Sequence, residues 1–565
     1  MKTFHLAKLA LLACLLAASQ AHAAKLALLV GVGDFQSADV PKLQGPKHDV
    51  EAMRAVLAAR WGYEPQNIST LVDSQGTKPA ITQALKSLMD KSRPGDEVLI
   101  YFSGHGTSSL DPALGLPLPY GSGAFAPYGA KISGAGSDVI NTLLVGRTEL
   151  RPLLQALDQG ERKLWVIFDT CYSAQVVRSV GNALTALPSR SLPALAVGSG
   201  NYNDYLAMRK LAQAQAQAKP AYPYRNTAFL AAAAEGEKAL DIPAHLLSVF
   251  PTLDGKPHGV MTDALLRVLH GQIAADYDGD SKVSLHEVHQ AVGQFMAQRG
   301  YGHTPQRLPS VAEDSTNLGS RSLLSGSNVT RPAAMATLPT LVVNASALPP
   351  ALQSALPNVA DLQWAKLDPQ YVLALANKKI AIKTAGGDLV SEYAEADRTG
   401  LVGGLQQLAW VHRMNALALQ SMRGVLPAAI SPEMMGGNFL LGDSLHFDVR
   451  PDQTASLLLL NADSAGKVSV LYPFHAGELN ALPGGASHAV PSANPADRIQ
   501  VQLPLGMDMQ LVFAFDQPAP DLRAWVGKSN ITAGDPRLAE LARVIAGAKG
   551  KFTYAKTELR VLPKP

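Results

Sequence analysis

Residues 97–106 read EVLIYFSGHG, an apolar run of strand length that breaks directly into Ser103-Gly104-His105-Gly106. A second run of the same kind, Leu164-Trp165-Val166-Ile167-Phe168, breaks into Asp169-Thr170-Cys171-Tyr172-Ser173-Ala174. Apolar runs this short, ended by small and polar residues, are the pattern of strands buried on both faces. In an open α/β sheet the functional crevice lies beyond the carboxyl ends of the strands. The two runs therefore predict that His105 and Cys171 arrive at one edge of one sheet.

Outward from these runs, further strands are expected at Leu26–Val32 and Ile68–Val72, with the two quoted runs giving Glu97–Phe102 and Lys163–Phe168. Helical periodicity marks Asp49–Arg60 and Thr77–Lys91 between them, and Pro94-Gly95 punctuates the chain before the third strand. Strand alternating with helix from Lys25 to about Leu308 is the signature of a mostly parallel sheet covered by helices. The Gly-, Pro- and Ser-rich stretch 106–146 reads as a long surface excursion, and RKLAQAQAQAK at 209–219 as an exposed insertion.

At 565 residues the chain is too long for one core, and it carries 47% hydrophobic and 17% charged residues, a globular composition. The expected division is a leader at 1–23, an α/β domain at 24–319, a linker at 320–337, a small α+β domain at 338–430 and a β-rich domain at 437–565. In the middle piece Leu338–Val343 and Val372–Lys383 read as strands and Leu401–Met422 as a helix. In the last piece the runs Ser444–Val449, Ser456–Asn461, Lys467–Tyr472, Arg498–Leu503 and Met509–Phe515 alternate with turn residues, as in a sandwich or barrel.

The first residues, MKTFHLAKLALLACLLAASQAHA, place Lys2 and Lys8 before an apolar run and end on Ala21-His22-Ala23, the pattern of a cleaved secretory signal. A lipid-anchoring role for Cys14 is the rival, though Leu12 fits it poorly. Cleavage removes two lysines and no acid, so the net charge falls by two from +3, and no electrostatic case for nucleic acid remains. No later segment is long and apolar enough to span a membrane. The expected location is therefore the periplasm or the exterior. Cleavage also removes Cys14 and leaves Cys171 as the single thiol, which cannot form an internal disulfide.

A lone cysteine at a strand end is more often a small buried hydrophobe than a nucleophile. Its pairing with a histidine one step past a neighbouring strand favours chemistry. Imidazole stabilises the thiolate, and the imidazolium then protonates the leaving amine. By position, the backbone N–H groups of Gly106 and Cys171 are candidate oxyanion donors. One Cys and one His without paired spacing cannot make a zinc site.

The paired segments Tyr101–Gly106 and Asp169–Ser173 resemble the catalytic motifs of metacaspases and their bacterial caspase-like relatives. The resemblance covers roughly Lys25 to Ala312, with support from Gly31-Val32-Gly33, Leu43 to Asp49, and Gly259-Val260-Met261-Thr262. It implies a cysteine endopeptidase acting on protein or peptide substrates, with no cofactor needed for the chemistry. It further implies that Asp49, Ser103 and Asp169 line the pocket for the residue before the scissile bond. A carboxylate pair suits a guanidinium or ammonium, so cleavage after Arg or Lys is expected. Asp49 could equally cap its helix. Ala174 stands where the family often has Gly, and the acids that bind activating calcium in some metacaspases are not recognisable, Asp138 being the nearest candidate. Self-cleavage after Arg178, Arg190 or Arg209 would follow from the basic residues downstream of Cys171.

A separate calcium signal lies at 276–287. Asp276, Asp278, Asp280 and Glu287 fall at positions 1, 3, 5 and 12 of an EF-hand loop, Lys282 at position 7, and Val283 is the apolar eighth residue. Helical patterns flank it, Thr262–Ala274 before and Leu285–Gln298 after. Ser281 replaces the usual Gly at position 6. The C-terminal block resembles a β-rich domain of unknown function that accompanies bacterial caspase-like peptidases, which implies a targeting role or an envelope or protein partner. The alternatives from other classes are a non-catalytic caspase-like scaffold and a calcium-dependent adhesion or sensor protein.

Overall fold

The computed structural model describes residues 23–107, 123–132, 136–171, 187–190, 222–233, 239–299 and, with short breaks, 301–564. The signal segment, most of the 320–337 linker, the 209–219 insertion, Arg178 and Arg209 lie outside the described residues.

The first half is built on a six-stranded sheet. Its strands are β1 (Lys25–Val32), β2 (Ile68–Val72), β3 (Glu97–Gly104), β4 (Lys163–Asp169), β5 (Thr227–Ala231) and, later in the chain, β8 (Gln306–Leu308). Their order is β8-β5-β4-β3-β1-β2, parallel throughout except for β8. Register pairs Ser103 with Asp169, so the residues after β3 and β4 leave the sheet side by side.

The period-two alternation of a strand explains the layers. Ala27, Leu29, Leu99, Tyr101, Trp165 and Ile167 face one side, where α1 (Gly45–Arg60) packs through Val50, Met53 and Leu57. Leu28, Val30, Ile100, Phe102, Val166 and Phe168 face the other, against α2 (Lys78–Lys91) through Ile81 and Leu85 and α3 (Arg151–Gln159) through Leu154 and Leu157. The α1 side also receives a short hairpin, β6 (Asp241–Ile242) with β7 (His258–Gly259), and the helices α4 (Val260–Leu269) and α5 (Leu285–Gln298).

The surface excursion expected at 106–146 is corrected where it is described. Gly106–Thr107, Ala124–Phe125 and Leu144–Val145 form a small antiparallel sheet, and Phe125, Ala126, Leu143 and Leu144 join the core, because that stretch supplies enough apolar side chains to cover the α2 face.

In the second half, the run read as one strand at 372–383 is a hairpin of Tyr371–Ala376 and Lys379–Thr384. Asn377 and Lys378 turn it with φ of 52° and 60°. Helix α6 (Arg398–Ser421) follows the expected position, capped by the Asp397 side chain. The C-terminal part is a sandwich: Phe447 and Val449 of one sheet meet Leu457, Leu459, Val512 and Ala514 of the other. Of the 498–503 run, only Ile499–Gln500 forms a strand. Gly424–Val425 and Ala428–Ser431, expected in the middle domain, hydrogen-bond into the two sandwich sheets.

Candidate active site

Asp49 does not cap α1. That helix begins at Gly45, so Asp49 sits one turn inside it, fully buried and aimed at the ends of β3 and β4. Ser103 Oγ donates to Asp49 Oδ2 at 2.7 Å, and Asp169 Oδ2 accepts from Thr262, by its amide at 3.1 Å and by its hydroxyl. The three residues expected to form a cation pocket therefore do converge, from three different elements.

The pocket is filled by the chain itself. The Arg190 guanidinium, with no exposed surface, sits among these side chains. Its Nη1 donates to Ser103 Oγ at 2.7 Å and to the Asp169 carbonyl at 2.9 Å, and lies 3.3 Å from Asp169 Oδ2. Its Nη2 donates to Asp49 Oδ2 at 2.8 Å and to Asp241 Oδ1 at 2.7 Å.

The backbone around Arg190 is held as an added strand. Arg190 N donates to the Ala239 carbonyl, and Asp241 N to the Pro188 carbonyl, both at 2.9 Å, in an antiparallel bridge centred on Ser189 and Leu240. Extended peptides are commonly recognised in this way at a sheet edge. Gly106 N donates to the Arg190 carbonyl at 3.0 Å, so one of the two expected oxyanion donors already holds the carbonyl of the pocket residue itself. Cys171 Sγ lies 3.7 Å from Ser189 Oγ and accepts from Ala239 N at 3.0 Å. Cys171 is completely buried.

His105 is 1% exposed, and its Nε2 bonds to the Pro41 carbonyl at 2.8 Å. That bond fixes the Nε2–H tautomer and leaves Nδ1, which makes no hydrogen bond among the described residues, as the free base. Burial holds its pKa down at about 4, against the pull of the Pro41 and Arg190 carbonyls.

The electrostatics of the pocket involve two residues that sequence reading missed. His258 bonds through Nδ1 to Asp49 Oδ1 at 2.8 Å and through Nε2 to Asp254 at 2.9 Å. Burial disfavours its cation, yet the two carboxylates carry its pKa up to about 9. Burial likewise pushes Asp49 upward, but Arg190 and His258 outweigh it and hold Asp49 below the usual range. For Asp169 burial prevails over Arg190, and its carboxyl rises to about 6. Asp241, 1% exposed, is also raised by burial. A carboxylate inside the apolar run Ala239–Ile242 was the one sequence signal for it. His258 directly precedes the Gly259–Thr262 segment already singled out.

The acidic loop is formed as expected in part. Asp276, Asp278 and Glu287 bring carboxylate oxygens within 4.8 Å of one another. Asp280 lies outside that group, its Oδ1 accepting from the Lys282 amide at 2.8 Å. Ser281 takes the glycine-like conformation with φ of 64°, and α4 ends at Leu269, well short of the Ala274 expected. Asp138 is exposed and belongs to no such group. Among the described residues no helix is long and apolar enough to cross a membrane.

A mostly parallel sheet that delivers a histidine and a cysteine from adjacent strand ends, beside a buried carboxylate pocket, defines the caspase-like class. The caspase domain family matches residues 24–314, just over half of the sequence, and the chain belongs to that family. A domain of unknown function (DUF4384) matches residues 438–518. Among curated relatives, Metacaspase-1 of Scheffersomyces stipitis is 38% identical over 93 residues, 15% of this chain and 23% of that protein. Metacaspase-6 of Arabidopsis thaliana is 38% identical over 89 residues, 15% of this chain and 24% of that protein. Metacaspase-7 of Arabidopsis thaliana is 27% identical over 176 residues, 30% of this chain and 40% of that protein. The chain thus spans between about a quarter and two fifths of the length of these relatives.

Proposed function

We propose that this protein is an endopeptidase that hydrolyses peptide bonds after Arg or Lys, with Cys171 as nucleophile and His105 as general acid and base. His105 Nδ1 takes the Cys171 proton, and the thiolate attacks the carbonyl carbon while the Gly106 N–H, joined by that of Cys171, stabilises the oxyanion. The C–N bond breaks as His105 returns the proton to the leaving amine. Water, deprotonated by His105, then releases the acid from the thioester. Asp49, Ser103 and Asp169 hold the basic side chain before the scissile bond.

The observation that carries this reading is Arg190, whose side chain fills the carboxylate pocket while its carbonyl accepts from Gly106. The same arrangement makes the Arg190–Ser191 bond the protein's own first substrate and keeps the site occupied until that segment leaves. Export, resting on the leader at 1–23, and an envelope or protein partner for the C-terminal domain belong to the same proposal.

Calcium is its last element. The carboxylates of Asp276, Asp278 and Glu287 are a donor set of the right hardness for Ca²⁺, and the ion would tie α5 to the preceding loop. It takes no part in the chemistry.

A fluorogenic panel varying the residue before the scissile bond tests the proposal, with Cys171→Ala as control. Turnover confined to basic residues and lost in Cys171→Ala is expected. No turnover on any basic substrate, with or without calcium, overturns it.

A further inference from the structure

The pocket has a third carboxylate whose placement distinguishes two cations of equal charge. Asp241 sits on β6, the strand that also hydrogen-bonds the backbone on either side of Ser189. Its Oδ1 accepts from Arg190 Nη2 at 2.7 Å, while its Oδ2 faces the first amides of α1, Gln44 N at 3.3 Å and Gly45 N at 3.2 Å. The helix N-terminus thus steadies the carboxylate and leaves its other oxygen aimed into the pocket.

The space around the guanidinium is a tight slot. A Cβ on Gly45 would come to 2.5 Å from Arg190 Nη2, and one on Gly259 to 2.6 Å from Arg190 Cζ. The backbones of Gly45 and Gly259 therefore press closely against the guanidinium. At its edge four oxygens receive the two terminal nitrogens: Ser103 Oγ and the Asp169 carbonyl for Nη1, Asp49 and Asp241 for Nη2. Among the described residues Nε–H has no partner.

We infer that Asp241 is a specificity-determining residue and that this slot selects arginine over lysine before the scissile bond. This rests on the peptidase reading given above. An ammonium is a single point with three donors, whereas the guanidinium is a flat fork. Placed where Nη1 lies, an ammonium leaves the buried Asp241 with its two backbone amides but no cation, and its Oδ1 unfilled. Placed where Nη2 lies, it leaves Ser103 Oγ and the Asp169 carbonyl unfilled. Unpaired buried acceptors are what make a site reject the wrong ligand.

A pair of peptides identical except for Arg or Lys before the scissile bond supplies the test, by the ratio of kcat/KM. Competition from Arg190 lowers both rates alike and cancels in that ratio. The wild-type protein is expected to favour Arg by about 100-fold or more, and Asp241→Asn to lower that ratio by at least ~10-fold, the worth of one charge-assisted bond. Asparagine keeps an acceptor for Gln44 and Gly45, and the melting temperature reports whether it folds. Should it not, inhibition of the wild-type protein by agmatine against cadaverine gives the same discrimination, with agmatine expected to be the stronger. A wild-type ratio near one, equal inhibition by the two amines, or equal loss on both peptides in Asp241→Asn overturns the inference while leaving the peptidase reading intact. Absence of turnover on both peptides instead removes the reading on which it rests.

Discussion

Replacing Arg190 with Ala in a Cys171→Ala background, so that both chains stay intact, removes a cation that faces Asp49, Asp169 and Asp241 together. All four side chains are at most 1% exposed, and removing one partner of a buried pair costs roughly 3–5 kcal/mol. At roughly 2–4 °C per kcal/mol for a domain of this size, the melting temperature should fall by about 10 °C at pH 7. The deficit should shrink toward pH 5. Asp169 already titrates at about 6, above its ordinary value, and loss of Arg190 raises it further. A carboxyl raised in the folded state adds stability at low pH and loses it as pH rises through the folded pKa.

Agmatine supplies the missing guanidinium. At about 100 times its dissociation constant it should return roughly 2.7 kcal/mol to the variant, and nothing comparable to the parent, whose pocket is full. Thermal unfolding with and without agmatine reads both effects. Equal melting of variant and parent, or an equal agmatine shift in both, would refute the buried-cation argument.

Three further outcomes are expected. His258 is held up at about 9, so its contribution is fully present below its unfolded value of about 6.5 and lost as pH rises through 9. Denaturant unfolding at pH 7 and 9.5 should show a loss of about 2.4 kcal/mol, absent in His258→Gln. Millimolar Ca²⁺ should raise the melting temperature of the wild-type chain by a few degrees and leave a variant carrying Asp276→Asn and Glu287→Gln unmoved. Alkylation of Cys171 by iodoacetamide should be at least ~10-fold faster in Arg190→Ala than in the uncut wild-type chain, because clearing the pocket frees the segment covering a fully buried thiol.

The sheet was legible because its strands are continuous apolar runs, and Ile68–Val72 forms over the expected residues. Asp49, Ser103 and Asp169 were legible through the resemblance, because each stands at a position that matches the metacaspase pattern. Asp241 and His258 were not, and Arg190 was read as a self-cleavage candidate but not as the occupant of the pocket. Arg190 and Asp49 are 141 residues apart in sequence, and His258 and Asp49 are 209 apart, so only folding reveals that one guanidinium and one imidazolium neutralise the pocket. In the second half, the turn at Asn377-Lys378 lies inside an otherwise even run and was read through. The helix Pro536–Gly547 and the strand Phe552–Leu562, which complete the sandwich, were not foreseen.

Intact-mass analysis of the purified chain beside its Cys171→Ala and Arg190→Ala variants tests the central claim most directly. The account predicts wild-type fragments ending at Arg190 and beginning at Ser191, absent from both variants. Fragments at that junction persisting in Cys171→Ala, or a wild-type chain left uncut there under every condition in which it cleaves arginyl peptides, would contradict it.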